Sequence, residues 1–215
     1  MALALPSFVN LGCAFSYSTS LSDVFIQPVN RDLIYYLRTA AYAIIRSMNG
    51  KLKTTLRAWP VIAGATIGLC FLTQYVAKLF GIDLPDQQNI DIVRQWLQHA
   101  FDSAKNFATC AFLLTQVLIL LPVIEEAIFR GLLWKLPSKL PGRILRLALA
   151  VLSSALFSAA HYIAQPFPDA AFLALFFFGL AQCWLYAKTD RIWCPMLNHF
   201  LFNLTNLILL LVIPA

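Results

Sequence analysis

Five stretches of this chain, at about 58–77, 106–124, 147–165, 170–187 and 192–213, contain no Lys, Arg, Asp or Glu and are dominated by apolar side chains. A hydrocarbon layer about 30 Å thick is crossed by roughly 20 residues of helix at 1.5 Å per residue, so each stretch is long enough, or nearly so, to span a bilayer. Inside lipid every backbone N–H and C=O must be satisfied within the segment or by a closed barrel. The alternation that a barrel strand needs is missing, which predicts helices. Composition agrees: 60% of the 215 residues are hydrophobic and only 12% are charged, too few charges to cover a soluble domain. The expected fold class is all-α, a polytopic membrane bundle of about five to six transmembrane helices with interfacial amphipathic helices.

The connectors orient the spans. Lys51, Lys53 and Arg57 precede the first, and Lys135, Lys139, Arg143 and Arg146 fill the third connector. Lys188 and Arg191 fill the fifth, whereas the second is acidic (Asp83, Asp86, Asp91 and Asp102 against Arg94 and Lys105) and the fourth, 166–169, has no cation. The alternation predicts a cytoplasmic side carrying 51–57, 135–146 and 188–191. The formal net charge of +6 therefore reads as topology and attraction to anionic lipid. Basic residues do not interleave with aromatics in a patch, so no nucleic-acid partner is expected.

Residues 1–22 are uncharged and apolar enough for a weak sixth span, and they lack the basic start of a cleaved signal peptide. Around 33–48 a helix is expected that carries Arg38 and Arg46, with Arg31 one heptad earlier on the same stripe, suited to lying in the interface. A second amphipathic helix is expected at 90–101, with Ile92, Val93, Trp96, Leu97 and Ala100 on its apolar face. The division this suggests is a membrane-associated segment, 1–56, and a transmembrane domain, 57–215. The five cysteines are scattered without CxxC spacing, and are expected to act as small buried hydrophobes.

Ionisable groups inside spans are costly, and so they are candidates for function. Glu125 and Glu126 end the second span and run on into Arg130 and the apolar 131–134; His161 follows Phe157 in the third; His199 precedes Asn203 in the fifth. Helical spacing lets Glu126 pair with Arg130 at i,i+4, leaving Glu125 about 100° away on the helix. It likewise puts Phe157 with His161, and His199 with Asn203. Two readings stand. The polar groups form a structural network between helices, or two imidazoles, a carboxylate and an amide converge as a hydrolytic site. A proton relay in a transporter and a silent scaffold are the further alternatives, although no repeated halves are visible.

Glu-Glu-x-x-x-Arg (125–130), Phe-x-x-x-His (157–161) and His-x-x-x-Asn (199–203), in that order on successive spans, resemble the CPBP family of intramembrane proteases. That family, also called Abi, includes the type II CAAX prenyl endopeptidases. The resemblance implies an intramembrane endopeptidase in which Glu125 is the base and His161 helps orient and deprotonate the water. It further implies that His199 and Asn203 donate hydrogen bonds to the oxyanion, with Glu126, Arg130 and Phe157 supporting the site. The implied substrate is a protein or peptide with a hydrophobic or lipid-modified C-terminal region, and the implied location the inner membrane of a prokaryote. A metal-free mechanism is the favoured expectation. A zinc-dependent version would use Glu125, His161 and His199 as ligands.

Overall fold

The computed structural model describes residues 39, 50–84, 88–100, 102–137, 142–162 and 169–212. The weak span at 1–22 and the amphipathic helix at 33–48 therefore lie outside the described residues. Among those described, the regular structure is helical and contains no strand. The helices are α1 (Gly50–Leu79), α2 (Gln88–His99), α3 (Ala104–Lys135), α4 (Arg143–Ala160), α5 (Ala171–Thr189) and α6 (Trp193–Val212). All except α2 are long and apolar enough to cross a membrane, in agreement with the five predicted spans. The protein is an integral multi-pass membrane protein built as a helical bundle.

The ends of the spans differ from the sequence reading in instructive ways. The basic 51–57 segment is helical, so α1 starts near Gly50 and passes without a break through 56 and 57. It ends where Gly81 takes a left-handed φ of 69°, with the Ile82 N–H reaching back to the Ala77 carbonyl at 2.9 Å; only a residue without a Cβ adopts that backbone cheaply. The expected second span stops at 124, yet α3 continues to Lys135. It does so through two π-helical stretches, Gln116–Leu120 and Ala127–Lys135, on either side of the short α-helical Leu121–Glu126. The third span is shifted toward the N-terminus: α4 runs from Arg143 to Ala160, and His161 is its C-cap rather than a residue within it. Ser103 caps the start of α3, its side chain accepting from the Asn106 N–H at 3.1 Å.

Packing places α6 against α1, α3 and α5, with α4 lying along α5 and also meeting the second half of α3. Lipid tails are as apolar as leucine, so contact between helices here rests on close packing and on interhelical hydrogen bonds. Both are visible. Gly179 on α5 lies so close to Ser154 on α4 that a Cβ there would meet the serine Cβ at 2.8 Å. Trp59 on α1 donates its indole N–H to the Thr205 hydroxyl on α6 at 3.1 Å. The apolar core centres on Phe157, Phe178, Phe202, Leu175 and Leu185, while Val61, Phe112, Ile144, Phe177 and Leu211 are exposed on the lipid-facing side.

Helix α2 buries Val93 and half-buries Trp96 and Leu97 against Val117 of α3 and Leu207 of α6, as its amphipathic pattern predicts. At the end of the bundle read as cytoplasmic, Lys135 pairs with Asp190, the left-handed C-cap of α5. The lysine's hydrogen bond holds that exposed carboxyl below its usual value. Cys110, Cys183 and Cys194 are free and buried. Cys70 is disulfide-bonded, which corrects the expectation that every cysteine serves only as an apolar filler.

At the opposite end, Asp169 accepts from the Tyr162 hydroxyl and, at 2.7 Å, from the Ala171 N–H that begins α5. Burial raises the Asp169 carboxyl above its ordinary value, opposed by those two hydrogen bonds and by His161 nearby. A group raised on folding adds stability below its unfolded value, about 4, and that stability is lost as pH rises through the folded value. The thermal midpoint of the solubilised protein is expected to contain a component that declines in this window. Asp169→Asn keeps an oxygen for both donors and should remove that component, as thermal scans of both proteins across pH will read.

Candidate active site

Three helices deliver the polar side chains named by the motifs. Glu125 and Glu126 lie at the end of the α-helical stretch of α3, just before the backbone widens into the second π-helix. Such local π insertions change which residues face inward and recur at functional sites. His161 caps α4, and His199 lies in the second turn of α6.

The Glu126 carboxylate and the Arg130 guanidinium are both fully buried and 3.1 Å apart, the pairing that the i,i+4 spacing predicts. The same Glu126 oxygen lies 2.9 Å from Nδ1 of His199. Arg130 also stacks on Phe157, its Cζ 4.2 Å from the ring centroid. Phe157 in turn meets His161 edge-on with centroids 4.7 Å apart, and His199 at 5.9 Å. Phe178 closes on His199 from α5 at 5.1 Å. Aromatic rings therefore border both imidazoles and fix their planes.

Glu125 is the carboxylate left without a cation of its own, and its side chain keeps 16% exposure. One oxygen lies 4.0 Å from Nε2 of His161 and the other 3.6 Å from Nε2 of His199. Neither is a direct hydrogen bond, and both Nε2 atoms are buried without a partner. These gaps are bridged naturally by a small polar molecule.

Hydrogen-bond chemistry fixes one tautomer. His161 Nδ1 lies 2.7 Å from the Phe157 carbonyl, and a carbonyl only accepts. Nδ1 must therefore carry the proton, and in the neutral ring Nε2 is left as an acceptor. His199 is held in the same sense, because Nδ1 meets the Glu126 carboxylate. Its Nε2 donates only when the ring also carries its second proton.

Asn203 sits one turn beyond His199, is buried, and donates from Nδ2 to the Val117 carbonyl of α3 at 3.2 Å. Its amide is thus fastened to the backbone of α3, while Oδ1 has no partner. Glu125, Glu126, Arg130, Phe157, His161 and His199 come together directly, and Asn203 joins the same α3–α6 interface through this bond. Motif reading missed the buried amide pair in which Gln182 of α5 donates to Asn198 of α6 at 2.9 Å. A glutamine inside an uncharged span was the available signal. It also missed Ser153, whose hydroxyl bonds the Phe129 carbonyl at 2.5 Å and ties α4 to the widened turn of α3.

As for a metal, the two Nε2 atoms and the Glu125 carboxylate are of the right donor types for zinc. Among the described residues, however, no group of three or more His, Cys, Asp or Glu is spaced to hold a metal ion.

No curated protein and no solved structure matches the chain. Residues 106–205 match the family model described as type II CAAX prenyl endopeptidase Rce1-like. That segment runs from the first turn of α3 to Thr205 and contains every one of the motif residues above. Over those residues the chain is similar to the type II CAAX prenyl endopeptidases, in agreement with the resemblance its motifs carry.

Proposed function

We propose that this protein hydrolyses a peptide bond near the C-terminus of a membrane-associated protein or peptide, using a water held by Glu125 and His161. The observation that carries the reading is the uncompensated Glu125 carboxylate, 4.0 Å and 3.6 Å from two partnerless imidazole nitrogens within an apolar bundle. A water between Glu125 and His161 meets two acceptors and donates one hydrogen bond to each. Its lone pair is then free to attack the substrate carbonyl carbon.

As the C–O bond forms, a proton passes from the water to Glu125 and negative charge collects on the former carbonyl oxygen. His199 Nε2–H, with the second N–H of Asn203, stabilises that charge. Collapse breaks the C–N bond, and the proton on Glu125 leaves with the amine. Glu126 acts through His199, holding its ring by the bond to Nδ1, and Arg130 pairs with that carboxylate. Phe157 stacks on the guanidinium and borders both imidazoles.

The family description names prenyl endopeptidases, and five lipid-embedded helices suit a substrate delivered from the bilayer. We therefore assign a hydrophobic or lipid-modified C-terminal tail as the substrate class. Charge alternation between connectors supports placing 135–146 on the cytoplasmic side. Purified in detergent, the protein is expected to cut a prenylated CAAX-type peptide into two fragments, read by intact mass, and to keep most of its rate after exhaustive chelation. Failure to cut any lipidated or hydrophobic tail would overturn the assignment. Loss on chelation with recovery on zinc would replace the metal-free mechanism by one with Glu125, His161 and His199 as ligands.

A further inference from the structure

The backbone of α3 has a gap three residues before Glu125. In the first π-helix the hydrogen bonds run from residue i to i−5, and the Leu121 N–H is given to the Gln116 carbonyl. The next carbonyl in the ladder, Val117, would take the N–H of residue 122, but residue 122 is proline and has none. Val117 is buried, so its carbonyl cannot turn to water, and an unsatisfied backbone acceptor in a membrane interior is costly. The bond it does receive comes from another helix, from Nδ2 of Asn203 at 3.2 Å.

We propose that Pro122 is a positioning residue of the catalytic site. By withholding the backbone donor, it obliges α3 to bond to α6 through Asn203, and this sets the register between the helix that carries Glu125 and the helix that carries His199. One turn separates Pro122 from Glu125 and Glu126, and one turn separates Asn203 from His199. The two helices are therefore fastened twice, by Asn203 to Val117 and by His199 to Glu126. The same bond fixes the plane of the Asn203 amide, so its remaining N–H points in one direction. The inference rests on the hydrolytic reading for its effect on rate, but the hydrogen-bond exchange at its centre does not.

Pro122→Ala tests it, because alanine restores the missing N–H and lets the helix close on itself. A residue with only a structural part to play would lose stability and activity together. Here they should part: the thermal midpoint is expected to stay level or rise by a few degrees, since a proline leaves a helix. Meanwhile kcat should fall about 10- to 100-fold with KM little changed, because a small misplacement of the base costs rate rather than binding. Asn203→Ala alone should lower the midpoint by leaving the Val117 carbonyl unpaired, and adding Pro122→Ala should restore it without restoring kcat.

Additive shifts in the midpoint, or a Pro122→Ala protein with the wild-type kcat, would overturn the proposal. If the wild-type protein cut no peptide, the hydrolytic reading would fall. The thermal cycle would still decide, without substrate, whether Pro122 and Asn203 compete for one carbonyl.

Discussion

Glu125→Gln is expected to lower peptide cleavage by about 10³–10⁴-fold, the scale that a lost general base commonly costs. The substitution is close to isosteric. It keeps one oxygen that can accept from water, but it places an NH₂ donor toward the second nitrogen and removes the ability to take a proton. A water held by the new amide and His161 could still be bound, yet it could not be deprotonated as it attacks. The loss should therefore appear in kcat, with KM within a few-fold of wild type. The side chain makes no direct hydrogen bond to either histidine, at 4.0 Å and 3.6 Å, so the thermal midpoint should hardly move. Glu125→Asp is the informative companion. It keeps the charge, but withdraws the carboxylate by one methylene and so moves the water it holds away from the position of attack. It should recover little of the rate. Cleavage of a lipidated peptide in proteoliposomes, followed by mass, reads all three proteins; a Glu125→Gln protein with wild-type kcat would remove Glu125 from the chemistry.

The part of this site that rests on chain-local physics was readable from the residues alone. Spans are legible because hydrocarbon forbids unpaired backbone and charge, leaving long uncharged apolar stretches as the visible result. The Glu126–Arg130 pair is legible because i,i+4 neighbours meet on any helix, and a fully buried pair at 3.1 Å is what the spacing implies. The apolar face of α2 is legible for the same reason.

What escaped depends on departures from ideal helix or on which helices meet. Two π-helical stretches rotate the inward face of α3, and no residue type announces them. Pro122 in the middle of an apolar run is ambiguous until the shifted hydrogen bond of Leu121 is known. The pairing of Gln182 with Asn198, on neighbouring helices, needs the packing of α5 on α6 to be seen. His161 is a helix cap rather than a residue inside the span because α4 stops at Ala160, although the apolar run continues past it. Apolar composition marks what tolerates lipid, and it does not mark where a helix ends.

The second large effect concerns the buried ion pair behind His199. Arg130→Met should destabilise the protein by about 3–5 kcal/mol, because it strands the Glu126 carboxylate in a site with no solvent exposure. His199 alone would then face two glutamates. Arg130→Lys should recover only part of that loss. Its ammonium carries the charge, but it lacks the planar face that lies 4.2 Å from the Phe157 centroid. Removing both charges is the decisive variant. In Glu126→Gln/Arg130→Met no ion is left buried, and replacing a buried pair is often close to neutral for stability, so the midpoint should return most of the way to wild type. The glutamine amide introduced at 126 still offers an oxygen to His199 Nδ1–H, which keeps the ring in place. It does not offer the carboxylate charge opposite Nδ1–H, so the charge-assisted bond that fixes the ring facing the oxyanion is weakened. Cleavage in the double variant should therefore remain at least about 10²-fold below wild type, the scale of one lost oxyanion donor. Thermal unfolding and cleavage assays on the three proteins separate the outcomes. Recovery of both stability and rate would make the pair a structural fastening only, whereas recovery of stability alone assigns its charge to catalysis through His199.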